Sequence, residues 1–269
     1  KKKINNTDKI KKICVGNIYV GGTGKTPLSI KLSKIIKKLN YKTGIIKKFY
    51  GDQIDEQKLL RKQNRLYCLG KREKSLESAI KDNIEVVIFD DGLQDNSINY
   101  DLQFVCFNSE KFIGNGFLIP AGPLREKINS ICKYDVVFLN GNQEDTREQR
   151  GLIKKHNPDI KIFETYYKPT NINKFNLDDK YLIFSGIGNP DSFKQTLINN
   201  KFNIVKEIKF PDHYQYTPKD IMQINLLAQK LNAKILTTEK DHFKLGNEIS
   251  TEIDFIEIEM IIKNENSLI

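Results

Sequence analysis

The sequence lacks any long apolar run. Its longest hydrophobic stretches are strand-sized and interrupted by charge, well short of the roughly 18 residues that a helix needs to cross a bilayer. Nothing near its start resembles a signal peptide. The sequence begins with Lys1 and not with Met, so these residues need not be the whole gene product.

Cysteine is scarce and has no metal-type spacing. Three of the four cysteines lie in or beside apolar runs; the four are Cys14, Cys68, Cys106 and Cys132. This usage predicts reduced thiols in a cytosolic protein. The sequence also lacks a convincing internal repeat or a low-complexity tract.

Positive charge is in excess, with 44 Lys and Arg against 34 Asp and Glu and a net charge of +10. Such a balance favours nucleotides, nucleic acid or an acidic membrane surface as partners. Lysine is spread along the whole chain without the interleaved aromatic platforms of a single-strand binder, so we expect no nucleic acid partner.

Predicted strands alternate with predicted helices. An almost continuous apolar run, residues 84–91, is typical of a strand buried on both faces of a parallel sheet, and residues 27–39 repeat apolar side chains at helical spacing. The pattern predicts an α/β fold with a doubly wound, mostly parallel sheet. A loose stretch at 168–173 predicts a linker, which gives a first domain at 1–167 and a second, smaller α/β domain at 168–269.

The first strand is predicted at residues 13–20, and the glycine-rich turn after it ends in Gly24-Lys25-Thr26 at the start of a helix. In a phosphate-binding loop of this kind, backbone N–H groups surround the phosphates, the lysine reaches them and the hydroxyl ligates Mg²⁺. The strict pattern has glycine where this chain has Tyr19, and a plain turn capping a helix is the alternative. The predicted nucleotide contacts are Val20, Gly21, Gly22, Thr23, Gly24, Lys25 and Thr26.

Two aspartates, Asp90 and Asp91, close the apolar run. The acidic group that holds Mg²⁺ in nucleotide-hydrolysing P-loop proteins has this position, although Asp-Asp-Gly alone is more often a turn. A glycine- and proline-rich stretch from 114 to 126 is typical of either a tight structural loop or a site.

Motifs along the chain resemble, in order, those of the tetraacyldisaccharide 4'-kinases of lipid A biosynthesis. The resemblance covers nearly the whole chain from Ile13. Its motifs are Val15-Gly16-Asn17 with residues 20–27, Asp90-Asp91-Gly92-Leu93-Gln94, Gly114-Asn115-Gly116 with residues 120–126, Gly186-Ile187-Gly188-Asn189-Pro190, Phe210-Pro211-Asp212-His213-Tyr214 and Leu236-Thr237-Thr238-Glu239-Lys240-Asp241.

The resemblance implies a P-loop NTPase-like kinase. Such an enzyme transfers the γ-phosphate of ATP to the 4'-hydroxyl of tetraacyldisaccharide 1-phosphate, an acylated glucosamine disaccharide, to form lipid IVA. The resemblance also implies ATP and Mg²⁺ as cofactors, and peripheral contact with the cytoplasmic face of the bacterial inner membrane.

The resemblance further implies roles for single residues. Asp55 matches the general base and His213 its partner, Asp91 would orient that pair, and Lys25 would neutralise charge on the phosphates. The Mg²⁺ set would be Thr26, Asp90 and Glu126. From the residues alone, Asp55 is more often a helix N-cap. For His213 a functional role is favoured, with a hydrogen-bonded loop histidine as the alternative.

Three features depart from the family pattern. Lys47-Lys48-Phe49-Tyr50-Gly51 stands where the family has Ser-Arg-Gly-Tyr-Gly, so a lysine without a bidentate fork replaces an arginine. The segment between Gly51 and Asp55 is shorter than in relatives. The family's N-terminal amphipathic, membrane-facing helix has no counterpart in residues 1–12, so either the chain is truncated or it docks through charge.

Two other functions compete with this interpretation. A switch-type ATPase that docks on a membrane or on nucleic acid has a similar glycine loop, but it carries a signature lysine where this chain has Val20. Another small-molecule kinase on the same fold would not need both segments, 114–126 and 210–214. Both alternatives are therefore disfavoured.

Overall fold

The computed structural model describes residues 10–51, 53–141, 145–245 and 253–269. They form two compact units. The first unit takes in the chain up to Tyr50, Leu60–Tyr166 and Met260–Ile269, and the second takes in Gly51–Leu59 and Tyr167–Glu259. The structure thus differs from the single boundary expected at 167/168, because the short segment at 51–59 groups with the second unit and the last ten residues group with the first.

Helices and strands alternate along most of the chain. In chain order they are β1 (Lys11–Gly16), α1 (Lys25–Lys38), β2 (Thr43–Lys47), α2 (Ile54–Gln63), β3 (Leu66–Tyr67), α3 (Arg72–Lys81), β4 (Val86–Asp90), β5 (Leu102–Asn108), β6 (Val136–Asn140), α4 (Arg147–His156), β7 (Lys161–Pro169), β8 (Lys180–Ser185), α5 (Pro190–Asn199), β9 (Asn203–Lys209), α6 (Pro218–Leu231), β10 (Lys234–Thr238), α7 (Glu239–His242), β11 (Asp254–Ile256) and β12 (Ile258–Ile262). Among the residues described, no helix has both the length and the apolar character needed to span a bilayer.

The larger sheet has eight strands in the order β12-β7-β6-β5-β1-β4-β2-β3. The pairings of β1 with β4 and β5, and of β2 with β4, are parallel. After β4 the chain passes to the other side of β1 and builds outward through β5, β6 and β7. Open parallel sheets bind ligands beyond the carboxyl ends of their strands, at the point where the strand order reverses, and β1 and β4 end there.

Continuous apolar sequence explains why β4 lies in the middle of this sheet. Val87, Ile88 and Phe89 are fully buried, as are Cys14 and Val15 of β1. A strand covered on both faces cannot alternate apolar and polar side chains. The predicted α/β fold with a parallel, doubly wound sheet therefore agrees with the structure.

The second unit contains a four-stranded sheet in the order β11-β10-β8-β9, with parallel pairing throughout. Successive residues of β8 enter different cores. Tyr181 and Ile183 pack with residues of α5, whereas Leu182 and Phe184 pack with residues of α6. Successive side chains of a strand point to opposite faces of the sheet. Because both sets are apolar and buried, helices cover both faces of this smaller sheet.

Two sequence-based element predictions need correction. The first strand was expected to reach Val20 but ends at Gly16, because the backbone beyond it turns to bond with residues 123–125, as in the bond from the Val20 N–H to the Pro123 carbonyl at 2.9 Å. The stretch from 168 was expected to be a linker, but β7 continues to Pro169.

Two glycines give opposite expectations for substitution by alanine. A Cβ on Gly122 would overlap the Asn115 amide oxygen and the Phe117 carbonyl, whereas a Cβ on Gly151 in α4 would meet nothing within 4 Å. We expect Gly122→Ala to lower the free energy of unfolding by about 1–3 kcal/mol through overpacking. Gly151→Ala, the matched control, should raise it by about 0.5–1 kcal/mol because alanine is the better helix former. Denaturant unfolding followed by circular dichroism measures both, and equal effects of the two changes would contradict this packing.

Candidate active site

The glycine-rich loop connects β1 to α1 in the first unit. Gly21 has φ 110° and Gly24 has φ 92°, both in the left-handed region that favours glycine. Gly24 is the residue that precedes the helix, and its carbonyl accepts the first helical hydrogen bond, from the Leu28 N–H at 3.0 Å. The free N–H groups of the first turn of α1 and the positive end of its dipole make this position suited to an anion.

Asn17 holds the loop from within. Its side chain is fully buried, and its amide donates hydrogen bonds to the Tyr19 carbonyl and, at 3.1 Å, to the Thr23 hydroxyl. A second amide, that of Gln94, donates to the Asn17 carbonyl at 2.9 Å. The loop is therefore fixed by polar contacts on two sides before any ligand arrives.

Asp90, at the end of β4, is the buried centre of this site and is fully inaccessible to solvent. Its Oδ2 atom accepts hydrogen bonds from the Thr26 hydroxyl at 3.1 Å and from the Lys47 ammonium at 2.9 Å. Its Oδ1 atom accepts from the Ser29 hydroxyl at 3.0 Å. The predicted proximity of Thr26 and Asp90 is thus present, and two further donors, Ser29 and Lys47, complete the carboxylate's partners.

Asp91 joins two cations of the site. Its Oδ1 atom lies 3.8 Å from the Lys25 ammonium and 3.2 Å from the guanidinium of Arg125. The residue has φ 58°, an uncommon value for any residue other than glycine and one that recurs at functional sites. The expected role of Asp91 in orienting Asp55 and His213 stays a prediction, since that pair belongs to the second unit.

Glu126 is held by two neutral donors. Its Oε1 atom accepts a hydrogen bond from the Gln94 amide at 2.9 Å, and its Oε2 atom accepts from the Tyr134 hydroxyl at 3.0 Å. Burial and the Glu126 carboxylate raise the pKa of Tyr134, which keeps that hydroxyl protonated as the donor. Because Gln94 also contacts Asn17, Glu126 is connected to the glycine loop.

The donor set of the first unit suits Mg²⁺ held partly by a nucleotide. No group of three or more His, Cys, Asp or Glu side chains able to hold a metal ion occurs in the described part of the chain. Mg²⁺ commonly binds through one or two carboxylates together with substrate phosphates and waters. The Thr26 hydroxyl and the Asp90 carboxylate, which touch each other at the start of α1, are oxygen ligands of that kind.

The second unit contains a cluster of buried charge around Asp55. Asp55 lies in the first turn of α2 and is 3% exposed. Its Oδ1 atom is 3.5 Å from the Nδ1 atom of His213, and neither carboxylate oxygen accepts a hydrogen bond of good geometry from any described residue. The N-cap alternative is therefore disfavoured, since Asp55 lies inside the helix and caps nothing.

Two lysines of the second unit compensate the Asp55 charge. The Oδ2 atom lies 3.6 Å from the Lys240 ammonium and 3.7 Å from that of Lys244. Burial alone would raise the pKa of Asp55, but the approach of His213 and the charges of both lysines outweigh it and hold that pKa below its usual range. Asp55 is thus an ionised carboxylate with free acceptor capacity at neutral pH.

Backbone geometry and hydrogen bonds to Gly186 and Asp241 fix these partners. His213 has φ 58°, and its N–H donates to the Gly186 carbonyl at 3.2 Å. The Lys244 ammonium donates to the same carbonyl at 2.9 Å and to Asp241 at 2.8 Å. Loop residue His213 and helix-flanking residue Lys244 are therefore both anchored on Gly186.

The structure brings the predicted residues together in two groups. In the first unit, Thr26 is hydrogen-bonded to Asp90, Lys25 is paired with Asp91, and Asp91 is linked through Arg125 and Gln94 to Glu126. In the second unit, Asp55 and His213 contact each other. Sequence reasoning assigned no role to the cations Lys47, Arg125, Lys240 and Lys244 or to the amides of Asn17 and Gln94. Four of these residues, Asn17, Gln94, Arg125 and Lys240, lie inside the family motifs. Their place in those motifs is the sequence feature that could have indicated a role.

Comparison with known proteins identifies the family. The profile of the family described as "LpxK: Tetraacyldisaccharide-1-P 4'-kinase" matches residues 5–268. A protein of Pelagibacter ubique strain HTCC1062 named tetraacyldisaccharide 4'-kinase is 51% identical over 260 residues, which are 97% of this chain and 83% of that protein. A protein of the same name from Rickettsia typhi is 35% identical over 278 residues, covering 96% of this chain and 84% of its own.

A solved structure supports the fold. The crystal structure of LpxK from Aquifex aeolicus in complex with ATP superimposes with a TM-score of 0.68, covering 96% of this chain and 86% of the other at 22% identity. At that identity the likeness shows the fold alone. The predicted α/β fold class and the predicted family are both confirmed, and the chain belongs to the LpxK, or tetraacyldisaccharide-1-P 4'-kinase, family.

Proposed function

We propose that this protein transfers the γ-phosphate of ATP to the 4'-hydroxyl of tetraacyldisaccharide 1-phosphate, forming lipid IVA in lipid A biosynthesis. One observation supports the proposal most strongly. In a chain of the 4'-kinase family, the glycine loop ends in Lys25 and Thr26, and Thr26 is hydrogen-bonded to Asp90 at the end of the neighbouring strand. Phosphoryl transfer needs positioning and charge stabilisation above all, which such a site supplies.

Residues of the first unit would bind the nucleotide. The loop from Val20 to Thr26 offers backbone N–H groups to the phosphates, and Lys25 would neutralise the charge that develops on them. Arg125 is a second cation on Asp91 and would act beside Lys25. With both cations held by one carboxylate, their positions are fixed in advance of ATP binding.

Thr26, Asp90 and Glu126 would hold Mg²⁺ together with the phosphates. Bound Mg²⁺ neutralises phosphate charge during transfer. Each oxygen of the Glu126 carboxylate accepts one hydrogen bond in the structure, from Gln94 or from Tyr134. A carboxylate oxygen has two lone pairs, so these contacts orient Glu126 and leave it capacity for a cation.

Asp55 would be the general base and His213 its partner. As the 4'-oxygen attacks the γ-phosphorus, the hydroxyl proton passes to the Asp55 carboxylate and ADP leaves. An ionised, buried carboxylate without a hydrogen-bond donor of good geometry is suited to accept that proton. His213 lies 3.5 Å away and would tighten on Asp55 when substrate binds, as loose contacts in free enzymes do.

The acylated substrate implies peripheral contact with the cytoplasmic face of the inner membrane. The net charge of +10 favours anionic lipid. In the first unit, a groove lined by Phe117, Leu118, Ile119 and Lys127 exposes three large apolar side chains, of which Phe117 is 63% and Ile119 56% accessible. Apolar side chains beside a cation match the boundary between acyl chains and headgroups.

Loss of the loop lysine should abolish transfer. We expect the parent protein, incubated with radiolabelled ATP, Mg²⁺ and tetraacyldisaccharide 1-phosphate in detergent micelles, to give one labelled lipid on thin-layer chromatography. Lys25→Ala should lower the rate on the order of a thousandfold, because a preorganised charge at the transferring phosphate is worth several kcal/mol. An exposed lysine of α1, changed in Lys38→Ala, is the control. Parent protein that labels no lipid would overturn the proposed function.

The Asp55 and His213 pair should behave as a unit. Asp55→Asn and His213→Ala should each lower turnover by roughly a hundredfold or more, with ATP affinity nearly unchanged, since a general base contributes on that scale. The double variant should lose far less than the product of the two single losses. Turnover at saturating ATP is the measurement, with exposed Asp178→Ala as control. Fully multiplicative losses would mean that the two residues act separately.

Membrane association should depend on charge and on the exposed apolar loop. We expect binding to anionic vesicles, measured by sedimentation, to weaken as salt rises, because each Lys or Arg near the surface adds about 1 kcal/mol. A double Phe117→Ser and Ile119→Ser variant should bind less at every salt concentration. The control is a double Met222→Ser and Leu226→Ser variant, which alters two equally exposed side chains of α6. Equal losses of vesicle binding in the two double variants would contradict the assignment of Phe117 and Ile119 to the membrane contact.

A further inference from the structure

Lys47 is a buried cation beside the glycine loop. It is the last residue of β2 and pairs in register with Asp90, the last residue of β4. Its side chain is 3% exposed, and its ammonium donates to Asp90 Oδ2 at 2.9 Å. A buried lysine is stable as a cation only where a carboxylate compensates it.

The Lys47 ammonium occupies a cation position beside Asp90, the carboxylate proposed to hold Mg²⁺. Lys47 and the Thr26 hydroxyl bond to the same oxygen of Asp90. Asp90 is thus neutralised by the protein itself, and the group formed by Lys47 and Asp90 carries no net charge. Any divalent cation that approaches Asp90 meets a fixed positive charge at close range, at a depth where solvent screens little.

The positive charge of Lys47 repels a divalent cation but attracts an anion. Thr26 lies in the first turn of α1, where the phosphates are proposed to bind, and it shares Asp90 with Lys47. Lys47 therefore adds a further protein cation near the proposed phosphate position, besides Lys25 and Arg125. A polyphosphate that arrives without metal finds part of its compensating charge already in place.

We propose that Lys47 supplies the first cation to Asp90, so that this protein binds ATP without Mg²⁺ and the metal strengthens the binding instead of being required for it. The inference rests on the proposed function, because it concerns the same nucleotide site. It assigns to Lys47 a charge-compensating role that the glycine-loop motif does not contain. Lys47 itself donates no proton to the substrate and forms no bond with it.

The parent protein provides the first test. The dissociation constant of a fluorescent, non-hydrolysable ATP analogue is measured with excess Mg²⁺ and with excess EDTA. We expect the metal-free affinity to be lower by no more than about tenfold, or 1.4 kcal/mol. Loss of detectable binding in EDTA, with binding retained in Mg²⁺, would overturn the inference and leave the proposed function intact. Absence of binding under both conditions would overturn the proposed function as well.

Variants at Lys47 provide the second test. Lys47→Met keeps the aliphatic stem and removes the charge, so the ratio of the two dissociation constants should widen by at least another factor of about ten. Lys47→Arg keeps the charge and should behave as the parent does. The matched control is Lys42→Met, the same change at the exposed residue that precedes the opposite end of β2. Equal ratios for Lys47→Met and Lys42→Met would overturn the inference.

Metal binding in the absence of nucleotide gives an independent readout. Mn²⁺ is titrated into the nucleotide-free protein and the free ion is followed by electron paramagnetic resonance. We expect Mn²⁺ to bind more tightly to Lys47→Met than to the parent, because the competing ammonium is gone. Tighter binding to the parent would contradict the assigned role. If Lys47→Met does not fold, the EDTA experiment on the parent still decides the inference.

Discussion

A carboxylate withdrawn from water must be compensated by the protein, and Asp90 is such a group. It is fully inaccessible, and its three donors come from two elements: Lys47 at the end of β2, and Thr26 and Ser29 in α1. Removing one partner of a buried ion pair costs several kcal/mol, since the remaining charge is left without compensation. The position of α1 against the sheet, and with it the position of the glycine loop, therefore depends on Asp90.

The second unit also contains a buried carboxylate, Asp55, but its surroundings differ from those of Asp90. Asp55 is almost as deeply buried as Asp90, but His213 and the two lysines stand at 3.5–3.7 Å and make no hydrogen bond of good geometry with it. Asp90 accepts three hydrogen bonds from described donors, whereas Asp55 is ionised and neither of its oxygens accepts one of good geometry. A carboxylate held by several donors is fixed in place as a ligand, whereas an ionised one without such donors suits proton transfer. The surroundings of the two acids therefore favour different roles.

Parts of the fold were predictable because they depend on local pattern. The β4 strand follows from a continuous apolar run, and the contact of Thr26 with Asp90 follows from the rule that strand ends share one edge of a parallel sheet. The end of β1 and the extension of β7 to Pro169 were missed, because tertiary partners and not propensity decide them. Lys47 and Lys244 were missed for the same reason. A lysine in sequence is ordinarily a solvated surface residue, and only the folded chain shows which ones are buried against a carboxylate.

The grouping of residues 51–59 with the second unit has a consequence for how the chain is made. Asp55 leaves the ribosome early, whereas Lys240 and Lys244, which compensate its charge, follow only after nearly two hundred further residues. Domains tend to fold in the order of their synthesis. The first turn of α2 therefore lacks these two partners while the strands around β1 and β4 are synthesised. The pairing of Asp55 with its two lysines therefore becomes possible only late in synthesis.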